Sequence, residues 1–322
     1  MNIHLNIMKK TFAPLYLTAI LLSLALSSCE KVIEFNGDET ENYMVMISKP
    51  QSDSPWKVRL TESRFFLSPD TIGTIKNAQI SIEVNGRTPN NIITHQGNGV
   101  YDLGYTPQPG DTLTLRVTTP EKGTMMAGCR IPNRPVVSNI SCTYDTSHYY
   151  DYYPDTIEVA GGRITVKLTI DDPADAVNYY MLRVNSANLN YNYSTDTYDT
   201  IRTYKNISVD DNVLFDMDAT EEIFGFGTED NYGDAVLFTD ERINGQSHTI
   251  LFDFWDQHLI GKIYVEVYTL SRDLYLYEKS LKAASQLDEF SIIFAEPVQL
   301  YCNVTGGIGI LGGSAVSKIP ID

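Results

Sequence analysis

Ala78-Gln79-Ile80-Ser81-Ile82-Glu83-Val84-Asn85-Gly86 sets apolar side chains at every second position and then stops on an Asn-Gly pair. Successive side chains of a strand point to opposite faces, so this alternation gathers Ile80, Ile82 and Val84 on one buried face. Asn-Gly supplies the left-handed backbone that a tight β-turn demands. The pattern recurs on both sides, in Tyr43-Met44-Val45-Met46-Ile47, Lys57-Val58-Arg59-Leu60 and Thr112-Leu113-Thr114-Leu115-Arg116-Val117, with turn chemistry at Asn98-Gly99 and Pro109-Gly110-Asp111. Residues 42–133 therefore read as a small β-sandwich of half-buried antiparallel strands.

Ile131-Pro132-Asn133-Arg134-Pro135 follows as a stiff junction, because its two prolines deny the backbone both helix and ladder bonding. Beyond it, residues 134–322 form a second, larger part. Strand patterns return at Val136–Ile140, Ile164–Ile170, Tyr180–Val184, Thr249–Phe252 and Lys262–Tyr268. The main helical candidate runs from a capping Ser271 to about Ala284, with Asp273 in its first turn, Lys279 and Lys282 near its end, and Leu274, Tyr277, Leu281 and Ala284 on one face. The expected class is mainly β: an N-terminal sandwich followed by a larger β-dominated domain with one main helix. Asn98-Gly99-Val100-Tyr101 and the later Pro109-Gly110-Asp111 with the strand after it resemble immunoglobulin-like or prealbumin-like modules of Bacteroidota surface proteins.

The N-terminus carries an address. After Lys9-Lys10, with Met8 an alternative start, an apolar run from Phe12 closes on Leu26-Ser27-Ser28-Cys29, the arrangement that lipoprotein signal peptidase cleaves. Residues 1–28 read as a lipoprotein signal peptide, too short and too promptly followed by polar sequence for a comfortable spanning helix. Cys29 is then the lipidated first residue, and residues 29–41 an acidic tether. Acidic residues just behind such a cysteine resemble an export signal for the outer face of the outer membrane. The chain of 322 residues has a formal charge of −17, and losing Lys9 and Lys10 deepens it by two. Such a field repels phosphate backbones and anionic head groups, which excludes nucleic acid as a partner and leaves membrane attachment to acyl chains.

Three cysteines remain. Cys129 and Cys142 are close enough in sequence to be candidates for a disulfide in an oxidising envelope, with Cys302 left over. No Cys-x-x-Cys or Cys/His cluster supports zinc, and no cofactor is expected. Gly307-Ile308-Gly309-Ile310-Leu311-Gly312 matches Gly-x-Gly-x-x-Gly, but too few residues follow it to supply the helix and acid of a dinucleotide site, so its glycines serve bending or close packing. Carboxylates crowd at Asp171-Asp172-Pro173-Ala174-Asp175, Asp210-Asp211 and Asp216-Met217-Asp218 without a calcium-loop pattern, and read as solvated loops.

Two tyrosine-rich stretches, 144–153 and 189–198, read as exposed recognition loops. Tyr144, Tyr149, Tyr150, Tyr152, Tyr153, Tyr191, Tyr193 and Tyr198 offer stiff amphipathic surface interleaved with aspartates. Edge strands decorated with tyrosine are the alternative. Four Asp-Thr-aliphatic triplets, with Thr71, Thr112, Thr156 and Thr200, resemble the acceptors of Bacteroidota O-glycosylation.

Taken together, Cys29-Glu30-Lys31-Val32-Ile33, Asp172-Pro173-Ala174-Asp175-Ala176-Val177-Asn178-Tyr179-Tyr180 and above all Glu296-Pro297-Val298-Gln299-Leu300-Tyr301-Cys302-Asn303-Val304-Thr305-Gly306-Gly307 resemble the domain-of-unknown-function 4249 lipoproteins of Bacteroidota. That family has no agreed activity and supplies no catalytic residues. The resemblance implies an accessory or substrate-capturing role beside a TonB-dependent outer-membrane transporter. The expectation is a non-catalytic, outward-facing lipoprotein with a small-molecule, glycan or peptide cargo. A structural or adhesive surface module is the alternative, and an envelope enzyme the third.

Overall fold

The computed structural model describes residues 42–65, 68, 71–151, 157–174, 176–215, 231–256, 260–285 and 298–321. The stretches read as signal peptide and tether, with Cys29, and Tyr152, Tyr153, Thr156 and the acids from Asp216 to Asp230 lie outside them. Residues 42–322 cluster as one unit. The fold is mainly β, with a single helix among the described residues.

The first layer pair is built as the alternation predicts. Strands β1 (Met44–Ser48), β2 (Lys57–Glu62), β4 (Thr94–Gly97), β5 (Val100–Asp102) and β17 (Ile308–Leu311) form a five-stranded sheet in the order β17-β1-β2-β5-β4. A three-stranded sheet, β3 (Gln79–Val84), β6 (Thr112–Thr119) and β7 (Gly123–Arg130), contributes Ile82, Leu113, Leu115, Val117 and Met125 to a core shared with Met46, Trp56, Val58 and Leu60. Asn98-Gly99 turns β4 into β5 with positive φ at both residues, and Asn85-Gly86 makes the same turn closed by Val84 and Arg87. Val304 and Leu311 also belong to this core, so its residues are not confined to 42–133.

In the second part, β8 (Val136–Asp151), β9 (Ile157–Asp171), β15 (Ser247–Asp256), β12 (Ile207–Val209) and β13 (Tyr232–Gly233) form one sheet in the order β13-β12-β15-β9-β8. The other is built from β10 (Tyr179–Asn192), β11 (Thr197–Lys205), β16 (Ile260–Leu270) and β18 (Ser314–Ile321) in the order β11-β10-β16-β18, with β14 (Val236–Thr239) pairing β10. Val166, Leu168, Leu182, Phe252 and Val265 are among the fully buried residues of the core the two sheets share. Helix α1 (Arg272–Ser285) lies on the outer face of this second sheet, where Leu274 and Tyr275 meet Met181, Leu237, Tyr268 and Leu270.

Two expectations are corrected. The stretch 144–151 is not a loop: β8 runs on through it, paired residue by residue with β9 down to Asp151↔Ile157. Likewise 189–192 and 197–198 are paired strand, with Tyr191 opposite Tyr198, and only the turn between them remains. Both stretches lack an apolar face, but tyrosine and threonine suit a pleated ladder well enough to carry the hairpins past the core. Cys129 and Cys142, the candidates for a disulfide, are not bonded to each other. Cys129 lies in the first core and Cys142 packs against the second.

Candidate functional site

Helix α1 starts where the sequence says it should. The Ser271 hydroxyl oxygen accepts the Leu274 N–H at 3.3 Å and the Gly313 N–H at 3.1 Å, so one side chain caps the helix and ties it to the β17–β18 connection. The helix buries Leu274, Tyr275 and Tyr277 but leaves Leu281 exposed. Between its C-terminal half and the sheet strands β10, β14 and β16 runs a groove of about 560 Å³. Met181, Leu237, Leu270 and Leu274 give it apolar walls, and Lys49, Arg183, Asp234, Glu278 and Lys282 give it charge.

The charged groups are held in place. Arg183 lays its guanidinium 3.4 Å from the ring centre of Tyr204 and grips Asp234 twice, donating from Nη2 to the carboxylate at 3.1 Å and from Nε to the carbonyl at 3.2 Å. Lys49, from the first sandwich, pairs with Glu278 at 2.8 Å and sits over the Tyr277 ring. Behind the wall, buried Glu266 accepts from Tyr268 at 2.8 Å and Tyr204 at 3.3 Å and pairs with Lys318 at 2.8 Å. Burial and the neighbouring Glu266 carboxylate push the Tyr268 phenol well above the ordinary tyrosine range, so it stays a donor. Arg183 and Glu266 are cross-strand partners, a cation and an anion that share one register position between β10 and β16.

Of the expected recognition tyrosines whose side chains are described, neither Tyr144 nor Tyr193 lines this groove. Tyr144 lies exposed on β8, where Tyr149 and Tyr150 follow on the same strand, while Tyr191, Tyr193 and Tyr198 lie on the β10–β11 hairpin of the other sheet. Tyr193 is 75% exposed at the turn. Thr71, Thr112 and Thr200 are all exposed. The groove residues escape sequence reading because they come from six separate stretches, most of them resembling an ordinary strand or helix face. One signal was present: Arg183 and Glu266 each interrupt an apolar strand run.

Two motifs turn out to be clasps. Asn303 donates to the Leu311 carbonyl at 2.9 Å, accepts the Leu311 N–H at 3.0 Å, and donates to Asp273 at 3.2 Å; Tyr301 donates to the same Asp273 at 2.5 Å. This bond to Asp273, with burial, raises the Tyr301 phenol. A side chain on Gly309 would come within 1.9 Å of the Met46 carbonyl oxygen, and one on Gly312 within 2.6 Å of Leu274, so the glycine run is the closest approach of β17 to β1 and α1. In the other motif, Asp172 and Asp211 are buried rather than solvated. Asp172 accepts from Tyr180 at 2.5 Å and from the Gly245 N–H at 2.9 Å, Asn178 bridges it to Asp240, and Asp211 holds His248 at 2.7 Å.

Among protein families, the model of the Domain of unknown function (DUF4249) matches residues 30–319. No curated protein matches the chain.

Proposed function

We propose, from the premise that the chain belongs to the DUF4249 family, that it is a non-catalytic outer-membrane lipoprotein, anchored through Cys29, that captures a nutrient for a TonB-dependent transporter. The observation that carries this reading is the groove under α1. Its apolar walls and a few fixed polar groups are the make-up of small-ligand sites, and about 560 Å³ falls within their usual size. The outer ends of the β8–β9 and β10–β11 hairpins, beyond Met181, Arg183 and Tyr204 of the groove, supply the surface that meets the transporter. Their tyrosines offer large contact area at low entropic cost.

Isolation of the native lipoprotein in a gentle detergent tests the reading. The expected result is a TonB-dependent transporter in the same complex, and release of the protein from the membrane fraction, or a block in its maturation, in Cys29→Ser. Recovery of the lipoprotein with no transporter, or with an adhesin assembly instead, overturns it.

A further inference from the structure

The groove is not neutral. Lys49, Arg183 and Lys282 set three cations against Asp234 and Glu278, in a chain whose formal charge is −17. A guanidinium has five N–H donors, and the described bonds of Arg183 commit two of them, both to Asp234. The stack on Tyr204 fixes the plane of the remaining donors, and Arg183 itself lines the groove. A planar fork held in this way matches a carboxylate, which can accept two parallel bonds from it. Because the partner groups are already in place, little side-chain freedom is lost on binding. Next to this polar end run the apolar walls of Met181, Leu237, Leu270 and Leu274.

We propose that the groove binds a small amphiphile carrying one carboxylate, its head group on Arg183 and its apolar body along those walls. The inference rests on the capture reading above and names its ligand class. A neutral analogue lacks the acceptor for the fork, and a cationic one sets its charge against the Arg183 guanidinium.

The test uses the lipidated protein in phosphatidylcholine nanodiscs, titrated calorimetrically with octanoate, octanol or octyltrimethylammonium against empty discs. Octanoate is expected to bind saturably at one site, at least about tenfold more tightly than either comparator. Arg183→Met is expected to bring octanoate down to the octanol level while leaving octanol unchanged. Arg183→Lys should fall between, since it keeps the charge and loses the fork. Octanol binding as tightly as octanoate, no saturable octanoate binding, or an octanoate affinity unchanged in Arg183→Met overturns the proposal. Should Arg183→Met fail to fold, Arg183→Lys decides: weakened octanoate binding supports the fork, and wild-type affinity overturns it. A negative result here with a copurifying transporter removes the ligand class and leaves the capture reading, whereas octanoate binding without a transporter does the reverse.

Discussion

At the scale of single residues, the buried acids and the glycines each serve a joint. Burial pushes the Asp240 carboxyl upward and the nearby Asp172 charge adds to this, against hydrogen bonds from Asn178 that favour the anion. A carboxyl whose folded pKa exceeds its unfolded value contributes stability below the unfolded value, near 4, and loses it as pH rises through the folded one. At neutral pH the ionised form therefore costs stability, with Asp240 Oδ1 buried and unbonded. Asp240→Asn keeps an acceptor for the Asn178 N–H and cannot ionise. Its melting temperature should exceed that of the wild type by roughly 2 °C at pH 7 to 8, and the gap should close towards pH 4 in parallel thermal melts. A gap that stays constant across this range would refute the assignment. Gly309 has φ +125° and no room for a side chain against Met46. Gly309→Val should lose on the order of 3 kcal/mol in denaturant unfolding, with no nucleotide affinity to alter in either protein.

At the scale of elements, local periodicity made the strands and the helix legible. The Asn-Gly turns fall where the sequence places them, and α1 begins one residue after its predicted cap. Less legible were segments whose two faces are equally polar. The outer half of β8, from Tyr144 to Asp151, has no apolar face for periodicity to detect, and it is ordered by ladder pairing with β9 instead. The groove was hidden for a different reason, since Arg183, Tyr204, Asp234 and Glu278 meet only through the register of β10 with β11 and the seat of α1 on the sheet. The core residues contributed by β9 begin at Ile164, short of the hairpin's outer end. Replacing Tyr149 and Tyr150 by alanine should accordingly shift the melting temperature by less than about 2 °C while reducing recovery of the transporter in pull-downs. Unfolding of this variant, or undiminished recovery, would place the partner surface elsewhere.

At the scale of the whole molecule, the first core and helix α1 are fastened by a segment from far along the sequence. Strand β17 pairs in parallel with β1, from Val45↔Ile308 to Ser48↔Leu311, while Asn303 and Tyr301 lock the same segment to α1 through Asp273. Antiparallel neighbours can be joined by a hairpin, but this parallel contact cannot, and nothing in the local pattern around Met44 announces it. The order of β1 and β17 along the chain also has a consequence in time. Val45 and its partner Ile308 stand 263 positions apart (308 − 45), so β1 keeps an open edge until the chain between them has been made. Contacts of such high sequence separation form slowly. The first core therefore stays incomplete, with β1 lacking one neighbour, until residues 303–311 have been made.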